Sequence, residues 1–272
     1  MQSNRCIYCS KDISGEYYVD WNDNKVCAKH LSFVQRCSCC LQYIVTGYEV
    51  EHDRYICSSC LSNEITKYNM VEHINRVYSV LYEKGFNDIQ RDHITIELVS
   101  KERMSELYQE LEAAGLHSGY SDVWNEQGRT GFNQKIYVLD HLHHIEFEAI
   151  LAHELIHGWQ LQQNIDDYNR QSVESDESSK ARTEGFAQLG KYIIYKRRFE
   201  EAKTLYERPK SATEKDNARQ IMRLCRYHLK ITKESNDPLY GIAFKKILEH
   251  KRKVGWLEII REARMDELKK YV

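Results

Sequence analysis

The residues that most constrain the fold of this chain are its cysteines, because eight of the nine lie between Cys6 and Cys60. Seven of these eight cysteines and one histidine form pairs whose members are separated by two residues: Cys6/Cys9, Cys27/His30, Cys37/Cys40 and Cys57/Cys60. Such a pair can bind one metal ion from a tight turn, and two pairs complete a tetrahedron that leaves no position for a substrate. We therefore predict two structural zinc sites in this segment.

The segment contains an internal repeat, since its second half repeats the cysteine spacing of the first with a shift of 30 to 31 residues. Each repeat holds four ligands, so we expect consecutive pairs to share a metal, as in LIM modules. Alternate pairs would share a metal in a RING module. His30 comes second in its pair, which departs from the regular LIM pattern, so we describe the module as LIM-like. Cys39 is predicted to be a bystander, although its place beside Cys40 leaves a ligand exchange open.

The composition excludes several classes of protein. The chain has 272 residues, 42% of them hydrophobic, and a formal net charge of −2. A chain this close to neutral has no basic stripe for nucleic acid or for an anionic membrane. No apolar run approaches the length of a membrane span, and the start lacks the basic and apolar blocks of a signal peptide. We expect a cytoplasmic protein, in which paired cysteines bind metal and do not form disulfides.

The periodicity of apolar residues predicts an α+β fold: a LIM-like double zinc module over residues 1–62, then a mostly helical domain with a small sheet over residues 63–272. Short strand-like pieces occur around Tyr17 and Tyr48. In the second domain, helices are expected over residues 64–84, 101–114, 144–163 and 178–198, with two or three more towards the C-terminus. Strands are expected over residues 94–99 and 135–139, and residues 116–134 are interpreted as a loop with at most a short strand.

The helix predicted over residues 144–163 contains the pattern His-Glu-x-x-His at His153, Glu154 and His157. Residues four apart lie on one face of a helix, so both imidazoles can bind one zinc ion while Glu154 serves as the base for a water molecule. The helix is apolar almost all round, which indicates a buried helix. Buried histidines and a buried glutamate need partners, and a metal ion supplies them.

A catalytic zinc site needs a third protein ligand and one open position. Glu184 is our candidate, because it stands at the start of a strongly apolar helix that would draw its carboxylate into the core. Glu174 and Glu177 lie in a polar run that is typical of a solvated loop. Three histidines precede the catalytic helix and are expected to be exposed or to cap it: His141, His143 and His144.

The sequence resembles the DA-type LIM-peptidases, a family first known as ubiquitin-activated peptidases that limit organ growth in plants. The resemblance begins at the second zinc module of the plant proteins and rests on four blocks: the head with Arg36-Cys37-Ser38-Cys39-Cys40, residues 150–157, residues 184–188 and residues 240–244. It implies a zincin-like peptidase domain of the gluzincin type. It also implies that His153, His157 and Glu184 bind the catalytic zinc and that Glu154 is the general base.

These observations predict a zinc metallopeptidase, and an endopeptidase in particular, that cleaves protein or peptide substrates and holds one catalytic and two structural zinc ions. The strand at residues 135–139 lies shortly before the catalytic helix, and we expect it to be an edge strand that binds an extended peptide through main-chain hydrogen bonds. Tyr240 is a candidate for stabilising the oxyanion, and a packed structural tyrosine is the competing interpretation. The alternative function is a non-catalytic adaptor, whose zinc module binds a protein partner and whose body is a zinc-stabilised scaffold.

Overall fold

The computed structural model describes residues 4–51, 54–107, 115–126, 129–163, 177–264 and 268 of the chain, and for residues 115–132 it describes only main chain. Its architecture is a mixture of helices and small sheets, with the paired cysteines gathered in an N-terminal region of short strands. We call residues 4–62 the head and the following residues the body. Among the described residues, no helix is both long enough and apolar enough to cross a membrane.

The head consists of three antiparallel strand pairs, a short 3-10 helix and one short α-helix. Its elements in chain order are β1 (Tyr17–Val19), β2 (Lys25–Cys27), the 3-10 helix Ala28–Phe33, β3 (Gln35–Arg36), β4 (Tyr43–Ile44), β5 (Tyr48–Glu51), β6 (Arg54–Ile56) and α1 (Ser58–Ser62). Strands β1 and β5 confirm the two strand-like pieces expected around Tyr17 and Tyr48. In both halves of the head, a strand pair separates two metal-ligand pairs along the chain, as the internal repeat requires.

The body contains one three-stranded sheet, built from β7 (Ile94–Val99), β8 (Gly115–Glu126) and β9 (Arg129–Leu139). The strand order is β7-β9-β8, with β9 parallel to β7 and antiparallel to β8. The loop predicted over residues 116–134 is wrong, because residues 116–126 belong to β8 and residues 129–134 to β9. The expected edge position of residues 135–139 is also wrong, since β9 is hydrogen-bonded on both sides and has no free edge for a peptide.

The described helices of the body are α2 (Met70–Tyr82), a 3-10 helix (Arg91–His93), α3 (Lys101–Leu107), α4 (His144–Gln163), α5 (Glu177–Glu207), α6 (Ala212–Glu234), a π-helical turn (Pro238–Ile242), α7 (Ala243–Val254) and α8 (Trp256–Arg264). The bounds of α4 are those predicted, whereas α5 extends nine residues beyond its predicted end. The remainder of the helix expected over residues 101–114 lies outside the described residues.

The predicted helix over residues 64–84 begins six residues late, at Met70. The main chain before it is hydrogen-bonded to another segment, since Glu64 forms a β-bridge with His143 and the amide of Ile65 donates to the carbonyl of Leu142. The side chain of Asn69 then accepts a hydrogen bond from the amide of Thr66, which closes a turn ahead of the helix. Local apolar periodicity could not reveal these contacts, because Leu142 and His143 are distant in sequence.

The second half of the head and the body share one hydrophobic core. Its buried residues include five head cysteines, Ile56, and apolar residues of α2, α4 and α5. Polar contacts cross the same boundary, since the buried guanidinium of Arg54 donates to the carboxylate and the carbonyl of Asp140. A separate small core lies around Cys6 and Val26 of the first half of the head and Tyr43 of the second half. The second cysteine cluster therefore lies against the body that carries the His-Glu-x-x-His helix.

Candidate metal centres

The first cysteine cluster is formed by Cys6, Cys9, Cys27 and His30, whose ligand atoms all lie within 4.8 Å of one another. Sγ of Cys27 is 3.6 Å from Sγ of Cys6 and 3.0 Å from Nδ1 of His30. In a tetrahedral zinc site with bonds of about 2.3 Å to sulfur, neighbouring sulfur atoms lie roughly 3.8 Å apart. The four atoms therefore have the spacing of a closed tetrahedral site.

The second cluster is formed by Cys37, Cys40, Cys57 and Cys60, all buried and with sulfur atoms within 4.8 Å of one another. Main-chain amides support it, since the amide of Cys57 donates to Sγ of Cys37 and the amide of Cys60 donates to Sγ of Cys57. Amide donors stabilise thiolate over thiol, which is the form that binds metal. Both clusters join consecutive pairs, which is the grouping that the internal repeat predicts.

Cys39 stands apart from both clusters, as expected for a bystander. Its Sγ donates to the carbonyl oxygen of His141, at 3.1 Å, and so contacts the residue three positions before α4. The neighbouring sulfur of Cys37 raises the pKa of Cys39 to about 12, and burial adds to the shift. Cys39 is therefore a thiol that joins the head to the body. Any ligand exchange with Cys40 would break this contact.

A third group of ligand atoms lies in the body. Nε2 of His153 is 3.1 Å from Nε2 of His157, and Oε2 of Glu184 is 3.3 Å and 3.2 Å from these two nitrogens. With metal bonds near 2.1 Å, ligand atoms of a tetrahedral zinc site lie about 3.4 Å apart. The three side chains thus converge on one point with the spacing of three ligands of a single ion.

We call His153, His157 and Glu184 the triangle. The protonation states of these three side chains favour the binding of a cation. Burial lowers the pKa of His153 to about 3, which keeps its imidazole neutral and its lone pair available. Burial opposes ionisation of Glu184, yet hydrogen bonds from His153 and His157 lower the pKa of this carboxyl below its usual value. The same carboxylate raises the pKa of His157 in spite of burial, so the centre of the triangle attracts positive charge.

Two helices hold the triangle in place. His153 and His157 are one turn apart on α4, which is buried on all sides from Phe147 to Ile156. Glu184 belongs to the second turn of α5, the helix packed most extensively against α4. Nδ1 of His157 is 3.1 Å from Oε1 of Gln160, whose amide nitrogen is 3.3 Å from the carbonyl oxygen of Thr183. Gln160 therefore links the ring of His157 to the residue preceding Glu184.

The other predicted residues occupy different places. Glu154 follows His153 on α4 and is buried, and it lies close enough to His157 to favour the charged form of that imidazole. Tyr240 lies in the π-helical turn, with its ring centroid 6.4 Å from that of His153 and 38% of the residue exposed. Glu177 is the exposed first residue of α5 and not part of a loop, and Glu174 lies outside the described residues.

The three histidines before α4 join none of the metal-ligand groups. Nδ1 of His143 accepts a hydrogen bond from the amide of Ile145, which caps the helix, and His143 is buried and not exposed. Nδ1 of His144 contacts the carbonyl of Asn63, and Nδ1 of His141 contacts the carboxylate of Glu64. These histidines attach the start of α4 to Asn63 and Glu64, the two residues that follow the head.

Sequence reasoning missed two features near the triangle. Gln160 is one helical turn beyond His157, so a search for polar residues at that spacing would have found it. The second feature is a cavity beside Tyr240, whose lining comes from residues far apart in the chain, among them Glu146, Gln188, Lys191 and His228. No periodicity in the sequence indicates that these residues meet.

Comparison of the chain with protein-family models, with curated proteins and with solved structures finds no match. A function for the chain must therefore be argued from the residues that the structure brings together.

Proposed function

We propose that this protein is a zinc-dependent metallopeptidase that hydrolyses peptide bonds in protein substrates. The observation that carries the proposal is the triangle of His153, His157 and Glu184 next to the buried Glu154. The resemblance to DA-type LIM-peptidases supports the same assignment, with a zincin-like body of the gluzincin type and endopeptidase activity.

The ligand sets of the three groups favour different roles. Each head cluster offers four ligands, including at least three cysteines, which is typical of a structural zinc site. The body group offers two imidazoles and one carboxylate, the set that hydrolytic zinc enzymes use while keeping one position open. We therefore propose two structural zinc ions in the head and one catalytic zinc ion in the body.

The chemistry follows from the side chains around the triangle. A zinc ion bound there would polarise the scissile carbonyl group and make a water molecule more acidic. Glu154 lies about 100° around α4 from His153, so its carboxylate is beside the three ligands without being one of them. It takes a proton from the attacking water and later delivers that proton to the leaving amine. The hydroxyl of Tyr240, next to His153, would donate to the oxygen on which negative charge develops.

The peptide backbone would bind along the sheet. Strand β9 is paired on both sides, so the described sheet offers an extended peptide two edges, β7 and β8, and we propose β8. Strand β8 is antiparallel to β9 and packs against α4, which carries the triangle. An extended peptide added to such an edge gains main-chain hydrogen bonds without regard to its side chains.

A non-catalytic adaptor is the second candidate, and one observation favours it. The head exposes aromatic side chains, with Tyr17, Phe33 and Tyr48 between 44% and 60% exposed. Exposed aromatic residues are common where a protein binds a partner. A scaffold has no need of a buried glutamate beside two metal-ligating histidines, however, so Glu154 favours the peptidase over the adaptor. In the peptidase, the head would recognise a partner or support the body.

The test compares wild-type protein with Glu154→Gln, which keeps the shape of the side chain and removes the base. Both proteins are incubated with cell lysate, and new peptide termini are identified by mass spectrometry. We expect wild type to produce fragments and Glu154→Gln to cleave more slowly, by a factor of about 100 to 10,000. Zinc content should be the same in both.

Glu177→Gln is the matched control, because it makes the same substitution at an exposed position of α5. It should cleave like wild type. Equal cleavage by wild type and Glu154→Gln would remove Glu154 from the mechanism. Absence of new termini with zinc-loaded wild type, together with capture of a partner by the head, would favour the adaptor.

A further inference from the structure

A cavity of about 390 Å³ lies next to the proposed catalytic centre. Helices α4, α5 and α6, the π-helical turn and one head residue surround it, and its polar lining includes Glu146, Gln188, Lys191, Tyr195, His228 and Tyr240. Tyr240 connects the two sites, because its ring lines the cavity and also lies 6.4 Å from the ring of His153.

The helices that carry the metal ligands also carry the cavity lining on the same faces. On α5, Gln188 and Lys191 follow Glu184 at spacings of four and three residues, which places all three along one side of the helix. On α4, Glu146 precedes His153 by seven residues, or two turns. Two turns span about 10 Å, the length of roughly three extended peptide residues. A substrate residue close to the scissile bond could therefore reach the cavity.

The negative charge in the cavity is already balanced. Oε2 of Glu146 accepts a hydrogen bond from the hydroxyl of Tyr195, at 2.6 Å, and lies 3.5 Å from Nε2 of His228. Glu146 also stands in the first turn of α4, where the helix dipole stabilises a carboxylate. The hydroxyl of Tyr195 and the start of α4 thus stabilise this one charge.

The positive charge in the cavity is not balanced. Lys191 has no carboxylate within 4 Å in the part of the chain that the structure describes, and its place within α5 is far from either helix end. His228 is 94% buried, since only 6% of the residue is exposed, and its Nε2 makes no hydrogen bond to any described residue. Burial lowers the pKa of His228, so the ring stays neutral and can donate one hydrogen bond. Lys191 thus has no carboxylate partner among the described residues, and Nε2 of His228, although it lies 3.5 Å from Oε2 of Glu146, makes no hydrogen bond there.

We propose that this cavity is a specificity pocket that binds a carboxylate of the substrate, with Lys191 as the charged partner and His228 as a hydrogen-bond donor. The inference rests on the proposed peptidase function and identifies the class of substrate group that binds beside the scissile bond. The carboxylate could belong to an aspartate or glutamate side chain or to the C-terminus of a peptide. Both sources present the same chemistry to Lys191, so the experiment must separate them.

The experiment measures binding in the Glu154→Gln background, in which bound peptides are turned over slowly. Fluorescent peptides with an amidated C-terminus carry glutamine throughout or one glutamate at successive positions, and a further peptide carries glutamine and a free C-terminal carboxylate. We expect at least one carboxylate peptide to bind about 10- to 100-fold more tightly than the amidated glutamine peptide, the range for a hydrogen bond to a charged group. The position of the carboxylate in that peptide identifies its source.

Lys191→Met in the same background should abolish this preference, so that the carboxylate peptide binds no more tightly than the amidated glutamine peptide. Lys191→Glu should reverse it, so that a peptide with lysine at the same position binds best. Lys196→Gln is the control, because Lys196 is an exposed lysine on the same helix outside the cavity lining. It should retain the preference of the parent protein, and Lys191→Arg, which keeps the charge, should retain it too.

Equal affinity across the series, including no measurable binding by any peptide, would overturn the pocket. So would a preference for lysine peptides that Glu146→Gln abolishes, since the pocket would then bind cations. The proposed function fails separately. If wild type cleaves peptides without preference for a carboxylate, the peptidase proposal survives and the pocket is overturned. If binding depends on Lys191 but zinc-loaded wild type cleaves no peptide, the pocket survives and the peptidase proposal is overturned.

Discussion

Gly190 of α5 lies directly against the carbonyl group of Ala152 in α4. A Cβ atom added at position 190 would be 2.5 Å from that carbonyl oxygen and 2.8 Å from the amide nitrogen of His153. No side chain separates the two helices here, so their main chains are in contact. Because Glu184 is six residues before Gly190 on the same helix, this contact sets the distance between Glu184 and His153.

We predict that Gly190→Ala weakens metal binding in the body. Alanine favours a helix by about 1 kcal/mol over glycine, but its methyl group would push α5 away from α4 and cost about 1–3 kcal/mol in packing. The measurements are metal content after dialysis and urea unfolding. Gly15→Ala is the control, since a Cβ at Gly15 has nothing within 4 Å. A fully metal-loaded Gly190→Ala protein would show that the helix contact does not position the ligands.

We predict about three zinc ions per chain and a sharp difference between two neighbouring cysteines. Cys40→Ser should lower the zinc content of the head from two ions to one, because serine is a poor zinc ligand. Cys39→Ser should keep all three ions, since its hydroxyl can still donate to the carbonyl of His141. Elemental analysis of protein purified without added zinc measures both. Loss of one ion in Cys39→Ser would make Cys39 the ligand.

The three groups of candidate metal ligands could be predicted from the sequence because most of their geometry is local. Two residues three positions apart face one ion across a single turn, as Cys37 and Cys40 do. Two histidines four apart share one face of a helix, as His153 and His157 do. The bounds of α4 were equally accessible, since a helix buried on all sides has an uninterrupted apolar composition.

What the sequence did not predict depends on contacts between distant residues. Strand β8 and the first half of β9 contain many glycine and polar residues, and they become strands by pairing with each other. The central position of β9 follows from its parallel pairing with β7, which no local pattern encodes. Likewise Glu146, Tyr195 and His228 come from three different helices, so their meeting in the cavity is a result of helix packing alone.

We predict that the stability of the protein falls below pH 6.5 through His143. Burial lowers the pKa of this imidazole to about 3. The unfolded chain, with an ordinary pKa near 6.5, therefore binds a proton that the folded protein excludes. The free energy of unfolding should decrease as the pH falls from 6.5 towards 3, with a slope approaching about 1.4 kcal/mol per pH unit.

His143→Asn isolates this contribution in urea unfolding between pH 7 and pH 5.5. Asparagine does not titrate, and its side-chain oxygen can accept the hydrogen bond that the amide of Ile145 donates to His143. The metal ligands are the same in both proteins, so acid release of metal affects them alike. The variant should lose less stability than wild type over this range. Parallel curves would mean that His143 is protonated in the folded protein.

We predict that Gln160 fixes the orientation of His157 and that its loss weakens the body metal site without altering the head. Oε1 of Gln160 is 3.1 Å from Nδ1 of His157, and its amide nitrogen is 3.3 Å from the carbonyl of Thr183. If Nδ1 carries the ring proton, Nε2 presents its lone pair to the metal, and Gln160 accepts that proton's hydrogen bond. Gln160→Leu removes this acceptor, so zinc affinity of the body site should fall about 10- to 100-fold. Competition with a chromophoric chelator measures the affinity, and the two head ions should remain bound.

Gln163→Leu is the matched control, since Gln163 is near the end of the same helix and donates to Asp88, away from the triangle. An unchanged affinity in Gln160→Leu would show that α4 alone orients the ring of His157.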